Sequence, residues 1–317
     1  MKKIMRLFVV ALAVVVLAAC GKRTYAADGT YTAWKVTENK VEITMVSVTI
    51  EKDEIKSFYI DVIQNDATKD AETGYVTGYS FKEKSKKELG YEYKMHYNSY
   101  KATVDAGTDT LEGYKAWLTA NNKKEWFEQA ALIEAALLNG VDSVQVTDGK
   151  ISNVAGVTIK DGGYLALAAE AVELAKAGTV QTVTVSGSDV VWATGKVNKK
   201  GELSDVVLNT LQGKTTKQTA ETAASFAWNA KNKQELGYEY HMHYRSYTAT
   251  LEDKNTATEA GYQAWLKANN KLEWFEQAAL VVEAYMANNS VEGATGVTIK
   301  TASYVEVLAA LKAAVAK

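Results

Sequence analysis

The string ELGYEYKMHY spans residues 88 to 97, and ELGYEYHMHY spans residues 235 to 244. Nine of ten positions are the same across an offset of 147 residues. Volume alone seldom fixes identity so tightly, because many apolar residues fill a core about equally well. The string answers to something more particular than filling space. Other strings return in the same order. GYKAWLTANNKKEWFEQAAL at 113 to 132 is echoed by GYQAWLKANNKLEWFEQAAL at 261 to 280. GVTIK stands at 156 to 160 and again at 296 to 300. Upstream, EIKSFYIDVIQ at 54 to 64 faces the more diverged ELSDVVLNTLQ at 202 to 212. The chain is a tandem repeat of a unit far too long for a solenoid.

The order of patterns inside each copy sets the fold class. Residues 29 to 63 alternate apolar and polar, as in VEITMVSVTI, which predicts antiparallel strands. The alternation slips phase at Met45-Val46, and a β-bulge is expected there. In the second copy, Thr182 to Val185, Val190 to Thr194 and Leu203 to Leu211 take the same part. Helical periodicity follows from Thr110, with Trp126, Ala130, Ile133 and Leu137 on one face, and an alanine-rich helix is expected from Tyr164 to Ala177. Strands first and helices after predict an α+β fold of two homologous domains, each a small antiparallel sheet packed with helices. The expected bounds are 28–177 and 178–317. No Ser/Gly-rich linker separates them, so close packing is expected.

The N-terminus reads as an export signal. Lys2, Lys3 and Arg6 precede an apolar run, Leu7 to Ala19, that is too short to span a bilayer. It ends Leu17-Ala18-Ala19-Cys20-Gly21, which resembles the bacterial lipobox. That resemblance implies a signal peptide over 1–19, lipidation of Cys20 and a tether over 20–27. The chain would then sit on the extracellular face of the cytoplasmic membrane, anchored by lipid. Cys20 is the only cysteine, so disulfides within the chain and thiolate metal clusters are excluded. Net charge is −2 over the whole chain and −5 once Lys2, Lys3 and Arg6 are removed, which gives no reason to expect nucleic acid.

Residues suited to catalysis are few. The histidines are His96, His241 and His243, and no GxSxG-like turn accompanies them. No phosphate-cradling glycine motif follows a strand. Aromatic residues are plentiful and repeated. Tyr93 and Tyr240, with Met95 and Met242, are read either as an aromatic core or as the wall of a flat ligand slot. The third candidate is the GVT string, in SNVAGVT (152 to 158) and EGATGVT (292 to 298). Gly156 and Val157, and Gly296 and Val297, precede Thr158 and Thr298 and leave the hydroxyls sterically open.

Four features together resemble the FMN-binding domain family. The opening Asp28-Gly29-Thr30-Tyr31-Thr32 is similar to that family's start. ELGYEYKMHY resembles its ELG-x-x-Y-x-M segment, KEWFEQAAL its EWYEQA helix, and GVTIK its VTI segment. The likeness covers the chain twice and is strongest for lipoproteins of Gram-positive bacteria that serve flavin-based extracellular electron transfer. It implies FMN joined through its phosphate to a threonine by a flavin transferase, one per domain. Thr298 is the better match to the target pattern, although Glu292 and Val297 depart from it. Thr158 matches less well, and Thr295 is a rival to Thr298. The resemblance implies an electron carrier. It would take electrons from a membrane quinol or dehydrogenase and pass them to extracellular acceptors. The alternative is a surface lipoprotein that binds a small ligand without redox chemistry.

Overall fold

The computed structural model describes residues 23–105 and 107–315. Cys20 and the expected signal peptide lie outside these residues. The fold is α+β. In the first half, β1 (Gly29–Val36), β2 (Ile43–Glu51) and β3 (Glu54–Ile63) form an antiparallel sheet in the order β1-β2-β3. A two-stranded ribbon follows, β4 (Asn65–Lys69) with β5 (Val76–Phe81). Then come the short helices α1 (Lys86–Leu89) and α2 (Tyr97–Lys101), and the longer α3 (Leu111–Ala120) and α4 (Trp126–Leu137). A small hairpin, β6 (Val146–Thr147) with β7 (Lys150–Ile151), leads to α5 (Tyr164–Ala177).

The second half repeats this plan without the small hairpin. Its sheet is β8 (Thr179–Ser186), β9 (Asp189–Val197) and β10 (Leu203–Leu211), with β9 central. The ribbon is β11 (Gly213–Thr216) with β12 (Ser225–Trp228). The helices are α6 (Lys233–Leu236), α7 (Tyr244–Thr248), α8 (Glu259–Ala268), α9 (Trp274–Asn288) and α10 (Ala302–Val315).

Each sheet buries one face under its own helices. In the first half α5 crosses β1 and β2 while α4 packs on β3, and α10 and α9 do the same for the second sheet. Small residues allow close approach: Ala168, Ala171 and Ala175 of α5 are fully buried. Buried residues of both halves join in one cluster, from Tyr31, Val46 and Ile60 to Val191, Leu308 and Leu311. Hydrogen bonds cross between the halves as well. Phe81 N–H donates to Gly187 O at 2.7 Å, Gln218 N–H to Val76 O at 2.9 Å, and Trp228 Nε1 to Thr37 O at 3.0 Å.

The phase slip at Met45-Val46 is not a bulge. Pairing of β1 with β2 runs unbroken through Trp34↔Met45 and Ala33↔Val46, and the register shift between β2 and β3 comes later, at Thr49/Ile50. The slip is a change of partner. Val46, Val48 and Ile50 face the main core. Ile43 and Met45, on the opposite face, pack with Phe81, Val190 and Phe226 in a second cluster that joins the halves. A strand buried on both faces loses its alternation.

The tether expected over 20–27 is folded from Arg23 onward. Ala27 is fully buried, Tyr25 N–H donates to Asp53 at 2.9 Å, and Ala26 N–H donates to Ala175 O at 3.0 Å.

Candidate functional site

The repeated string that opens each copy's helical part is a knot of short turns. Ser85 caps α1 in a reciprocal box with Glu88, and Asn232 does so for α6 with Glu235. A single 3-10 turn, Gly90–Tyr93 or Gly237–Tyr240, follows. Lys94 and His241 then reverse the chain in the left-handed region, at φ 52° and 57°. The one residue that differs between the strings therefore stands at a backbone turn.

The knot closes on a buried carboxylate. Glu125, fully buried, accepts from Met95 N–H at 3.0 Å and from Trp126 N–H at 2.8 Å. Tyr114 Oη donates to the same carboxylate, and accepts from His96 N–H at 3.1 Å. Glu273, also fully buried, repeats this with Met242 N–H at 3.1 Å, Trp274 N–H at 2.9 Å and Tyr262, which accepts from His243 N–H at 3.0 Å. Burial and then the bond to glutamate raise the pKa of both tyrosine hydroxyls, which remain donors. A buried carboxylate is tolerated only with such partners. The string contributes the backbone N–H groups of Met95 and His96 to this network, while the tyrosine and the carboxylate come from the next repeated string.

A second clamp joins the GVT string to the knot. Gln129, buried in α4, accepts at Oε1 from Thr158 N–H (2.6 Å), Thr158 Oγ1 (3.2 Å) and Ile159 N–H (3.2 Å). Its Nε2 donates to Lys124 O at 2.9 Å and reaches Met95 Sδ at 3.5 Å. Gln277 does the same for Thr298 and Ile299, and meets Met242 Sδ at 3.6 Å. Gly156 and Gly296 allow this turn, at φ 80° and 87°. A Cβ there would lie 3.1 Å from the Lys124 or Leu272 side chain. Val157 and Val297 pack against the main core, while both threonines are exposed at the surface.

These pieces line a cleft of about 690 Å³ in the first half. Tyr93, Met95 and Thr158 all face it, with Trp126, Tyr164 and Lys86. The corresponding cleft in the second half, about 300 Å³, is lined by Tyr240, Met242, Trp274, Tyr304 and Lys233. Ile299 and Lys300, which follow Thr298, line it in place of Thr298 itself. Thr295 and Gly296 instead border a separate groove with Tyr238 and Leu272. Burial pushes the Tyr240 hydroxyl up to about 12, so it is a neutral donor at physiological pH.

Lys86 and Lys233 were not among the residues singled out in the sequence, though both lie at equal places before ELGYEY. Each rests against two rings: Lys86 Nζ is 5.1 Å from the centre of Tyr93 and 5.2 Å from Trp126, and Lys233 Nζ is 4.7 Å from Tyr240 and 5.2 Å from Trp274. Burial lowers the pKa of both ammonium groups, against the raising effect of Glu42 on Lys86 and of Asp189 on Lys233. Two of the histidines hold a backbone carbonyl at equivalent places: His96 Nε2 lies 3.2 Å from Lys124 O, and His243 Nε2 3.2 Å from Leu272 O.

No family model matches this chain, and no curated protein matches it. A solution NMR structure from Clostridium thermocellum, determined by the Northeast Structural Genomics Consortium, is similar over 46% of this chain and 89% of that one. Its identity is 20% and its TM-score 0.24.

Proposed function

We propose that this chain is a lipid-anchored flavoprotein that carries electrons outside the cytoplasmic membrane. The observation that supports the reading is convergence. Tyr93 and Met95 come from one repeated string, Trp126 from a second and Thr158 from a third, and all four face one cleft. Its volume, about 690 Å³, falls in the range of small-molecule and cofactor sites. The fit to FMN rests on aromatic walls for a planar ring, a lysine that makes no ion pair, and an exposed threonine hydroxyl at the rim. In this reading Thr158 Oγ1 is the atom to which a flavin transferase joins FMN through its phosphate. Gln129 orients that hydroxyl, and Tyr93, Met95 and Trp126 bound the ring's space. FMN supplies one- and two-electron transfer when bound. The donor is a membrane quinol or dehydrogenase, and the acceptors are extracellular.

The cleft volumes favour Thr158 over Thr298, the reverse of the order that the local motif suggests. In the second half the ring has less room, about 300 Å³. Co-expression with a flavin transferase, followed by a denaturing gel excited with blue light, tests the reading. A fluorescent band that Thr158→Ala weakens or removes supports it. A dark band beside a bright control flavoprotein rejects covalent attachment and leaves the non-redox binding lipoprotein, which would use the same clefts.

A further inference from the structure

Each cleft contains a lysine that makes no direct ion pair, although Glu42 lines the first cleft and Asp189 the second. Among the described residues, no hydrogen bond or ion pair engages Lys86 Nζ or Lys233 Nζ. Lys233 is only 8% exposed. An ammonium group has three donors and is strongly hydrated in water, so such burial is costly without an acceptor. The two ring faces offset part of that cost, but they accept no conventional hydrogen bond.

The carboxylates whose charge acts on the lysines are engaged by other donors: Glu42 and Asp189 line the same clefts without forming an ion pair, and Asp61, which also acts on Lys86, accepts from Ser85 Oγ at 2.7 Å. Glu42, whose charge acts on Lys86, accepts from Gln64 Nε2 at 2.9 Å and from Thr37 Oγ1 at 2.8 Å. Asp189, whose charge acts on Lys233, accepts from Gln212 Nε2 at 2.9 Å. Gln64 and Gln212 occupy equal places in the two copies, at the ends of the aligned strings EIKSFYIDVIQ and ELSDVVLNTLQ. Those strings are identical only at their first and last residues, and both halves keep the lysine, the two rings and the glutamine that donates to the carboxylate. The neighbour of the lysine was free to change: Lys87 in one copy is Gln234 in the other. The arrangement keeps a partly desolvated positive charge open toward each cleft.

We propose that Lys86 and Lys233 are receptors for an oxyanion, phosphate or carboxylate, presented by the ligand of each cleft. In the second cleft the Thr210 side chain supports the same reading. Its buried Oγ1 has no hydrogen-bond partner, and Thr210 lines the cleft, whereas Val62 takes this place in the first. The assignment does not depend on a flavin, since any ligand carrying an oxyanion would meet the same cation.

The test is calorimetric titration of the flavin-free chain with inorganic phosphate, with acetate, and with FMN against riboflavin, which lacks the phosphate. Two anion sites per chain are expected, one lost in Lys86→Met and the other in Lys233→Met, with affinity reduced at least tenfold. Thermal melts confirm that both variants fold. FMN binding at least tenfold tighter than riboflavin, with the difference removed by Lys86→Met, identifies the flavin phosphate as the oxyanion. Phosphate or acetate binding that is lysine-dependent, with no preference for FMN, upholds the oxyanion site and counts against the flavin reading. Absence of anion binding, or binding unchanged in both variants, overturns the proposal. Loss in one variant alone overturns it for the other cleft.

Discussion

Gln129 Oε1 lies 2.6 Å from the amide nitrogen of Thr158, and Gln277 Oε1 lies 2.7 Å from that of Thr298. One buried amide in each half thus holds the backbone of the GVT turn, the threonine hydroxyl and a contact to methionine sulfur. The helix α4 or α9 that carries the glutamine is the rigid element, and the turn is fitted to it.

Gln129→Ala leaves two backbone N–H groups and one hydroxyl without their acceptor. The expected loss is about 2–3 kcal/mol of stability, since a buried unsatisfied donor costs about 1–3 kcal/mol and the exposed hydroxyl turns to water. Denaturant unfolding measures it. In the flavin reading, the same variant lowers flavin incorporation at Thr158 and leaves Thr298 unaffected, while Gln277→Ala has the converse effect.

The Tyr114–Glu125 pair predicts strong coupling. Tyr114→Phe removes a donor from a fully buried carboxylate and an acceptor from His96 N–H. Glu125→Gln places an amide where Met95 and Trp126 already donate. Each change should cost about 2–4 kcal/mol. The double variant should fall short of the sum by about 1 kcal/mol or more, because both changes disrupt one network. A double-mutant cycle by equilibrium unfolding reads the difference. Additive losses would mean that the tyrosine and carboxylate act separately.

Lys233→Met should stabilise the ligand-free chain by about 1 kcal/mol near neutral pH, because it removes an unpaired buried charge of similar length. The pH dependence has a definite sign. Burial places the folded pKa of Lys233 below its ordinary value of 10.5. Between those two values the unfolded chain binds more protons than the folded one, so stability rises with pH across that window. Below the folded pKa the cost is constant. The variant should lose this rise, which thermal melts from neutral pH to pH 10.5 would show. A residue whose removal stabilises the fold yet abolishes anion binding is kept for binding.

Gly156→Ala and Gly296→Ala each place a Cβ on a residue at φ 80° or 87° and within 3.1 Å of a neighbouring side chain. About 1–2 kcal/mol of destabilisation is expected at each position from backbone strain. An unchanged melting temperature in both variants would show that the turn relaxes and that glycine is dispensable there.

Much of the molecule is legible in the residues alone, and the reason is locality. The repeat is an identity of strings. Alternation over residues 29 to 63 reports strands directly, and α5 runs from Tyr164 to Ala177 as its apolar spacing predicts. Tyr93, Met95 and Thr158 stand out because they lie in strings repeated more closely than packing requires. Tertiary structure decided the rest, because the deciding contacts join distant segments. Ile43 and Met45 break the alternation of β2 only because the other half covers that face. Gln129 and Thr158 are 29 residues apart, and Glu125 reaches Met95 across 30, so no window of sequence contains either bond. Lys86 and Lys233 read as ordinary charged residues at the start of short helices. A lysine's charge, exposure and partners are set by what the fold places around it, and here two aromatic rings flank it while a glutamine donates to the nearby carboxylate.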